Sequence, residues 1–130
     1  MFDQRFPRNK VHVIEGEFGP LDEAAGGTIQ RGVFFDHGDG CGDFFAVNDD
    51  STSYGQMRAD DSDIQVRQTI RRALDFGPTP SFRLVIKYDM AELYVNDYLM
   101  NLKRVKWNGR IGIISRDNDS PHKLKVWQSK

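Results

Sequence analysis

Polar side chains alternate along residues 54–71 in a pattern that would gather them on one face of a β-hairpin. A two-residue turn at 60–61 sets three polar pairs on that face: Arg58 with Asp63, Gln56 with Gln65, and Tyr54 with Arg67. Guanidinium, amide and carboxylate groups form paired hydrogen bonds that suit sugar hydroxyls, and an aromatic face can stack on a sugar ring. We therefore predict a carbohydrate-binding face here, extended by Arg31 if its strand neighbours the hairpin. The alternative interpretation is an ordinary solvated sheet face.

The two tryptophans are further candidates for contact with a ligand. Trp107 is expected at a corner of the fold, and Trp127 on the outward face of the last strand. An exposed indole either stacks on a sugar or contacts a partner domain, whereas burial under a loop is equally compatible with the sequence. We place Trp107 among the predicted ligand-binding residues.

Aspartates make up 15 of the 19 acidic residues and fall in clusters with glycines. Carboxylate oxygens suit Ca²⁺, so a structural calcium ion is one interpretation of these clusters. Capping of turns by aspartate side chains is the interpretation we favour, because residues 36–43 lack the spacing of an EF-hand loop. The clusters are Asp36, Asp39 and Asp43; Asp49 and Asp50; Asp60, Asp61 and Asp63; and Asp117 and Asp119.

Histidine and cysteine residues offer weaker signals for chemistry. Cys41 with His37 has the residue types of a nucleophile and its base, but a Gly-Cys-Gly loop would hold such a pair poorly. We interpret Cys41 as a small apolar residue, which is how free cysteines usually behave. His12 and His122 fall on the first and last predicted strands and lack a third ligand for a metal ion.

Glu15 and Glu17 form the one pair of acids whose spacing resembles that of a glycosidase. Alternate residues of a strand lie about 6.5–7 Å apart, within the range of the two carboxyl groups of an inverting enzyme. We expect the strand that carries them to be terminal rather than central. We therefore predict no catalytic residues, and keep this pair as the basis of an alternative function.

Composition bounds the class of protein. A chain of 130 residues suffices for one domain, 1–130, in which 1–9 would form an extended N-terminal arm. The net charge of −1 predicts no nucleic-acid binding, so the basic residues at 102–110 are interpreted as a solvated rim. No apolar run long enough to span a membrane occurs. No signal peptide is recognised, so an extracellular or periplasmic location is expected only for part of a secreted glycosidase.

Short apolar runs alternate with clusters of Gly, Asp, Asn and Pro, which predicts an all-β, two-sheet antiparallel sandwich of the jelly-roll type. Residues 21–26 are a candidate for a single helical turn. Asn108 and Gly109 should form a corner between the sheets, because a tight hairpin there would set Lys106 opposite Ile111. The predicted strands are 10–18, 28–35, 43–48, 54–59, 63–71, 82–88, 91–95, 98–105, 110–115 and 122–128.

The segment 82–100 gives the strongest prediction of core residues. Turns at 89–90 and 96–97 would create a three-stranded meander, with Ile86 opposite Leu93 and Leu84 opposite Val95. Five apolar side chains then share the face that should be buried: Leu84, Ile86, Leu93, Val95 and Met100.

Several segments resemble the concanavalin A-like jelly-roll superfamily, which includes laminin-G-like domains, carbohydrate-binding modules and C-terminal sandwiches of glycoside hydrolases. The resemblance covers about residues 28–128, and 82–100 is similar to the hairpin and short turn typical of this group. It implies the fold but no particular ligand, because lectins, enzymes and structural modules share it. The segments are RGVFFD (31–36), DFFAVN (43–48), FRLVIKYDMAELYVNDYLM (82–100), GRIGIIS (109–115) and HKLKVWQ (122–128).

The resemblance and the polar hairpin face together favour a non-catalytic carbohydrate-binding or accessory module associated with a glycoside hydrolase. Its expected partners are an oligo- or polysaccharide and a catalytic domain, with no nucleic acid and no membrane. One alternative is a structural domain that packs on a catalytic domain or on itself. The second alternative is a small glycoside hydrolase that uses Glu15 and Glu17.

Overall fold

The structure is a computed structural model that describes residues 6–7, 9–21, 29–58, 60, 62–71, 75–114 and 122–128. At 122–124 and 128 it describes the backbone alone. The helical turn predicted at 21–26 falls almost entirely outside these ranges, as do Asp61, Asp117 and Asp119. Within the described ranges, no helix is long and apolar enough to cross a membrane.

The described part of the chain contains ten β-strands, and each overlaps one of the ten predicted strands. Alternating apolar residues produce them, because an alternating strand can bury one face while the other faces outward. The strands are β1 (Val11–Glu17), β2 (Gly32–Asp36), β3 (Cys41–Val47), β4 (Ser51–Arg58), β5 (Gln65–Arg71), β6 (Ser81–Lys87), β7 (Met90–Val95), β8 (Tyr98–Arg104), β9 (Ile111–Ile114) and β10 (His122–Gln128).

The strands form two antiparallel five-stranded sheets, which confirms the predicted sandwich. Sheet 1 has the order β10-β1-β6-β7-β8, and sheet 2 has the order β5-β4-β3-β2-β9. The first and last strands pair, with Val13 opposite Trp127. Strand β1, which carries Glu15 and Glu17, is the first strand of the chain, as expected, and lies between β10 and the central strand β6.

The main core fills the space between the sheets. The five apolar residues predicted for the core of 82–100 are all at most 5% exposed and belong to it. Phe35 and Phe45 contribute the inner face of sheet 2 and meet edge to face, with ring centroids 5.6 Å apart. The chain crosses from sheet 1 to sheet 2 between β8 and β9, at Asn108 and Gly109, as the sequence predicted.

A second apolar cluster covers the outer face of sheet 2. Phe34 and Phe44 alternate with the core residues of their strands, so they point away from sheet 1. Sheet 2 is therefore buried on both faces where β2 and β3 run through it. The cluster consists of Phe34, Phe44, Ala46 and Met57, with Ile29, Ile64 and Ile114 packed against it.

The meander of β6, β7 and β8 has the predicted buried face but a different register. Leu84 pairs with Leu93 and Ile86 with Ala91, so the first turn lies at Tyr88 and Asp89, one residue earlier than predicted. This one-residue change in the turn shifts the pairing by two residues, which preserves the face of every side chain. The turn at 96–97 is as predicted, with Val95 opposite Tyr98.

The hairpin of β4 and β5 departs further from the prediction. Gln56 pairs with Gln65 as predicted, but a β-bulge follows, and Tyr54 pairs with Gln68 instead of Arg67. Thr52, on the same face as Tyr54, donates from Oγ1 to the carbonyl oxygen of Met100 in sheet 1. The polar face of the hairpin therefore points toward sheet 1, and the opposite face, which carries Met57, points outward.

Candidate functional site

A cleft of about 610 Å³ opens at the end of the sandwich where β3 begins and β8 ends. Its walls come from β3 and β4 of sheet 2, and from the β6–β7 turn and the segment after β8 on the other side. The polar face of the β4–β5 hairpin points into this opening. Two of the predicted ligand-binding residues on that face, Tyr54 and Gln56, line the cleft, and so does Trp107.

Asp43 forms the floor of the cleft. Its side chain is 5% exposed because it lies on the inward face of β3, two residues before Phe45. Its Oδ1 accepts a hydrogen bond from His37 Nε2 at 2.8 Å, and its Oδ2 accepts one from the backbone N–H of Lys106 at 3.1 Å. Charge-assisted hydrogen bonds of this kind hold a carboxylate in one orientation.

Gln56 connects this carboxylate to the surface. Its Nε2 donates to Asp43 Oδ1 over 3.3 Å, and its Oε1 accepts from Arg67 Nε over 2.7 Å. The guanidinium of Arg67 also donates from Nη2 to Gln65 Oε1 over 2.7 Å. A continuous hydrogen-bonded row therefore runs from the buried acid to an exposed guanidinium.

The β-bulge makes this row possible. It places Arg67 beside Gln65 and Gln56 instead of across from Tyr54. Gly55 permits the close approach of the two strands, because a Cβ atom there would overlap the carbonyl oxygen of Gln65.

Tyr54 is held between the sheets. Its hydroxyl donates to Asp43 Oδ2 over 3.3 Å and accepts from Gln56 Nε2 over 3.3 Å. Phe45 lies against its ring at a centroid distance of 5.8 Å, and the Lys103 Nζ lies 5.5 Å from the ring centroid. Burial raises the pKa of the Tyr54 phenol, and the nearby carboxylate of Asp43 raises it further, because both disfavour the phenolate.

Trp107 contributes less accessible surface than the sequence prediction assumed. Its side chain belongs to the main core and is 3% exposed, with its ring edge to face against Phe35. Its indole N–H donates to the carbonyl oxygen of Tyr88 over 3.0 Å. The indole forms part of the cleft wall, but it does not offer an open face for stacking on a sugar.

Arg58 and Asp63 do not join the cleft, and they do not pair with each other across the ladder as predicted. Arg58 is exposed at the end of β4, where its backbone N–H donates to the carbonyl oxygen of Ser62. Asp63 is exposed in the connection to β5, with a positive φ of 53°. A longer turn than the predicted two residues separates them.

Arg31 lies at the opposite end of β3, so the condition for including it in the predicted face is not met. It directly precedes strand β2, which pairs with β3 and β9 and not with the hairpin. The side chain is 3% exposed, and burial lowers its pKa, while the charges of Asp49 and Asp75 oppose that shift. It donates to four backbone carbonyl oxygens, those of Val47, Gly19, Pro78 and Asn48, at 2.8–3.2 Å.

Two residues at the centre of the cleft, Asp43 and His37, are not among the predicted ligand-binding residues. The sequence places Asp43 in an aspartate cluster interpreted as turn capping, and it sets His37 near Cys41. The structure joins His37 to Asp43, whereas its contact with Cys41 is a backbone hydrogen bond of 3.0 Å. The detectable signal was register: Asp43 shares its strand face with two buried residues, Phe45 and Val47.

Three of the other clustered aspartates cap turns, as the favoured interpretation predicted. Asp36, Asp39 and Asp60 each accept a hydrogen bond from a backbone N–H two residues further along the chain. Within the described ranges, no group of three or more His, Cys, Asp or Glu side chains could hold a metal ion. His12 is fully buried and its Nε2 lies 2.6 Å from the carbonyl oxygen of Pro7, while the side chain of His122 is outside the described part of the structure.

Glu15 and Glu17 lie far from the cleft in the fold. They face outward on sheet 1 and line a shallow groove of about 310 Å³ with Arg83, Asp97 and Lys125. The register sets Glu15 between Arg83 on β6 and Lys125 on β10. The pair is thus surrounded by two basic residues and a third acid.

The arrangement of strands defines a two-sheet jelly-roll sandwich, and this fold is similar to that of galectins. Sheep galectin-11 in complex with glycerol superposes with a TM-score of 0.62 at 11% sequence identity, covering 90% of both chains. Two substituted forms of human galectin-16 give TM-scores of 0.65 and 0.61, each at 11% identity. These alignments cover 98% and 95% of this chain, and 94% and 90% of the galectin chains. No protein-family model and no curated protein matches the sequence.

Proposed function

We propose that the protein is a non-catalytic, lectin-like carbohydrate-binding domain whose ligand occupies the cleft above Asp43. The observation that carries this proposal is the hydrogen-bonded row from Asp43 through Gln56 to Arg67, which lies at the mouth of a cleft of about 610 Å³. Planar polar groups held in fixed positions suit the closely spaced hydroxyl groups of a sugar. The likeness of the fold to galectins, one of them in complex with the polyol glycerol, supports a ligand of this class.

Binding would need no covalent step. The fixed groups would exchange hydrogen bonds with ligand hydroxyls, and ordered water would fill the remaining space in the cleft. Association with a glycoside hydrolase remains part of the proposal, in which this domain would hold a polysaccharide near a separate catalytic domain.

Calorimetry with a panel of oligosaccharides, or a glycan array, tests the proposal. Replacing Gln56→Ala breaks the row at its centre, so binding should fall by about tenfold or more. Arg58→Ala is the matched control, because Arg58 lies two residues further along the same strand and outside the cleft. Equal losses in the two variants, or no saccharide binding at all, would overturn the proposal.

A second candidate function is self-association through the outer face of sheet 1. Trp127, Val13 and Val85 lie in register across three neighbouring strands, and the Trp127 side chain is 46% exposed. An outward-facing row of two half-buried valines beside an exposed tryptophan suits a protein contact. Sedimentation should then reveal a dimer that Trp127→Ser dissociates, whereas a monomer at all concentrations would remove this candidate.

A further inference from the structure

The charge distribution around the cleft points to a particular class of saccharide. Four basic side chains, those of Arg67, Lys103, Arg104 and Lys106, belong to the cleft wall or contact residues that do. Two carboxylate groups, those of Asp43 and Asp89, also line the cleft and oppose this positive charge. The chain as a whole carries a net charge of −1, so this excess of positive charge is local.

Both carboxylates are already engaged. Asp43 accepts hydrogen bonds from His37, Tyr54, Gln56 and the Lys106 backbone, as described above. Asp89 Oδ2 lies 3.2 Å from Arg104 Nε, which forms an ion pair at the rim. Neither acid is therefore placed to neutralise a further cation.

Three of the basic groups have no acidic partner in the described part of the chain. The ion pairs there that involve lysine or arginine are Arg71 with Asp50, Arg83 with Asp97, and Arg104 with Asp89. Arg67 bonds only to the neutral amide oxygens of Gln56 and Gln65. Lys103 lies over the Tyr54 ring, and the side chain of Lys106 is exposed.

The aromatic residues of the cleft offer no open ring face on which a sugar could stack. The indole of Trp107 is 3% exposed, and the ring of Tyr54 lies between Phe45 and Lys103. A neutral sugar would therefore lose the stacking contact that contributes much of its affinity in many aromatic sites. An acidic sugar would gain paired hydrogen bonds from a guanidinium and attraction from the ammonium groups.

We infer that the cleft selects anionic saccharides, with a sulfate or carboxylate group of the sugar seated between Arg67, Lys103 and Lys106. This inference rests on the proposed carbohydrate-binding function and specifies its ligand class. Sulfate esters and uronic acids share the required chemistry, since both present oxygen atoms with a negative charge.

Calorimetry with three size-matched oligosaccharides tests this inference: a neutral galactan, an oligogalacturonate and a sulfated galactan. At least one acidic oligosaccharide should bind about tenfold tighter than the neutral one at low salt, and raising the salt to about 0.5 M should remove most of that difference. The difference between the two acidic arms identifies which anion the cleft prefers. Inorganic sulfate serves as a competitor that lacks the sugar ring.

Single substitutions test whether the preference for acidic saccharides arises in the cleft. Lys106→Gln should weaken binding of the acidic oligosaccharide about tenfold, with little change for any neutral sugar that binds. Arg67→Gln should weaken the acidic oligosaccharide at least as much, and a neutral sugar by a smaller factor, because Arg67 also belongs to the hydrogen-bonded row of the proposed site. Arg58→Gln and Arg71→Gln remove the same charge outside the cleft and should leave the affinity unchanged.

The outcomes separate the two proposals. Equal, salt-insensitive binding of the neutral and acidic oligosaccharides overturns the anion preference and leaves the carbohydrate function standing. Binding of none of the three, together with none in the wider panel, overturns the function itself. Displacement by inorganic sulfate at the concentration of the oligosaccharide would mean that the cleft recognises the anion without the sugar. Equal losses in the cleft and control variants would place the ligand elsewhere.

Discussion

The hydroxyl group of Tyr54 donates to Asp43 Oδ2 over 3.3 Å, along a diagonal between two neighbouring strands. The register pairs Asp43 with Gln56 and Phe45 with Tyr54, so the phenol leans along its own strand toward Gln56 to meet the carboxylate. The hydrogen bond between the phenol and the carboxylate exists only while Tyr54 keeps its proton.

That dependence predicts how stability changes at high pH. Burial, followed by the charge of Asp43, raises the pKa of Tyr54, so the folded protein holds this proton more tightly than the unfolded chain. The resulting stabilisation is complete below the ordinary tyrosine pKa of about 10. It is lost as the pH rises through the higher value of the folded state. Urea unfolding should be measured below the ordinary tyrosine pKa and above the raised pKa of the folded state. Between these two conditions, the free energy of unfolding should decrease less in Tyr54→Phe than in the parent protein.

Ultraviolet titration of the tyrosinates gives an independent readout. The pKa of Tyr94 is also raised, chiefly because its hydroxyl donates to Glu92 Oε2 over 2.8 Å, so late-titrating absorbance should come from both phenols. Tyr54→Phe and Tyr94→Phe should each remove one late component. An unchanged late component in Tyr54→Phe would contradict the Tyr54 contact.

Removing the acid of the cleft should destabilise the fold. Asp43→Ala leaves the Lys106 N–H, the Tyr54 hydroxyl and two further donors without their acceptor, at a cost of about 2–4 kcal/mol in the free energy of unfolding. Asp39→Ala removes an exposed turn cap and should cost about 1 kcal/mol or less. Urea unfolding measures both, and equal losses would show that Asp43 is no more than another capping residue.

Arg31 should contribute to stability and not to ligand binding. Arg31→Lys keeps the charge, but a single ammonium group cannot reach four carbonyl oxygens in the geometry of a guanidinium. We expect a loss of about 2–3 kcal/mol in the free energy of unfolding. The affinity for saccharide should be unchanged below the unfolding transition, because Arg31 lies at the opposite end of β3. A variant that kept its stability but lost binding would reverse this assignment.

The turn between β7 and β8 offers a substitution that should stabilise the protein. Asn96 and Asp97 have φ values of 50° and 68°, a region that glycine adopts at the least cost. Asp97 is exposed and its only described ion pair, with Arg83, spans 3.7 Å, so Asp97→Gly should gain about 0.5 kcal/mol.

Asn96→Gly is the matched control for that turn. It has the same conformational benefit, but it loses the side-chain hydrogen bonds to the backbone N–H of Ser81 and the carbonyl oxygen of Phe76, at 3.0 and 2.8 Å. We expect a net loss of about 1 kcal/mol. Thermal unfolding distinguishes the two variants by the sign of their shift.

Local patterns predicted the strands and the tight turn at 96–97, because alternation and turn residues act over a few neighbouring positions. They could not assign the faces of the β4–β5 hairpin. Tyr54 and Gln56 form a polar row, and Gly55 and Met57 form the opposite row. The pattern within this hairpin does not indicate which of the two rows faces the other sheet. The polar row faces inward because the sandwich opens at that end into the cleft.

The remaining differences between the predicted and the observed site depend on contacts between strands and segments that no local pattern specifies. The bulge that moves Arg67 beside Gln56 depends on the approach of β4 to β5 at Gly55, which no single segment specifies. Asp43 becomes the floor of the cleft only because the segment after β8 returns and presents the N–H of Lys106 to it. That contact joins residues 63 positions apart in the chain.

The two apolar faces of sheet 2 imply a gradient of local opening across the cleft. Residues 42–47 of β3 are all buried, so their amide hydrogens should be among the slowest to exchange with solvent. Along β5, six of the seven residues are exposed, so its amides should exchange early through local opening. The wall of the cleft formed by β3 is therefore rigid before a ligand arrives, while the neighbouring strand β5, which carries Gln65 and Arg67, would lose conformational freedom when the ligand binds. The entropy lost in ordering β5 would lower the affinity. Slower hydrogen exchange of the β5 amides in the presence of ligand would measure that ordering.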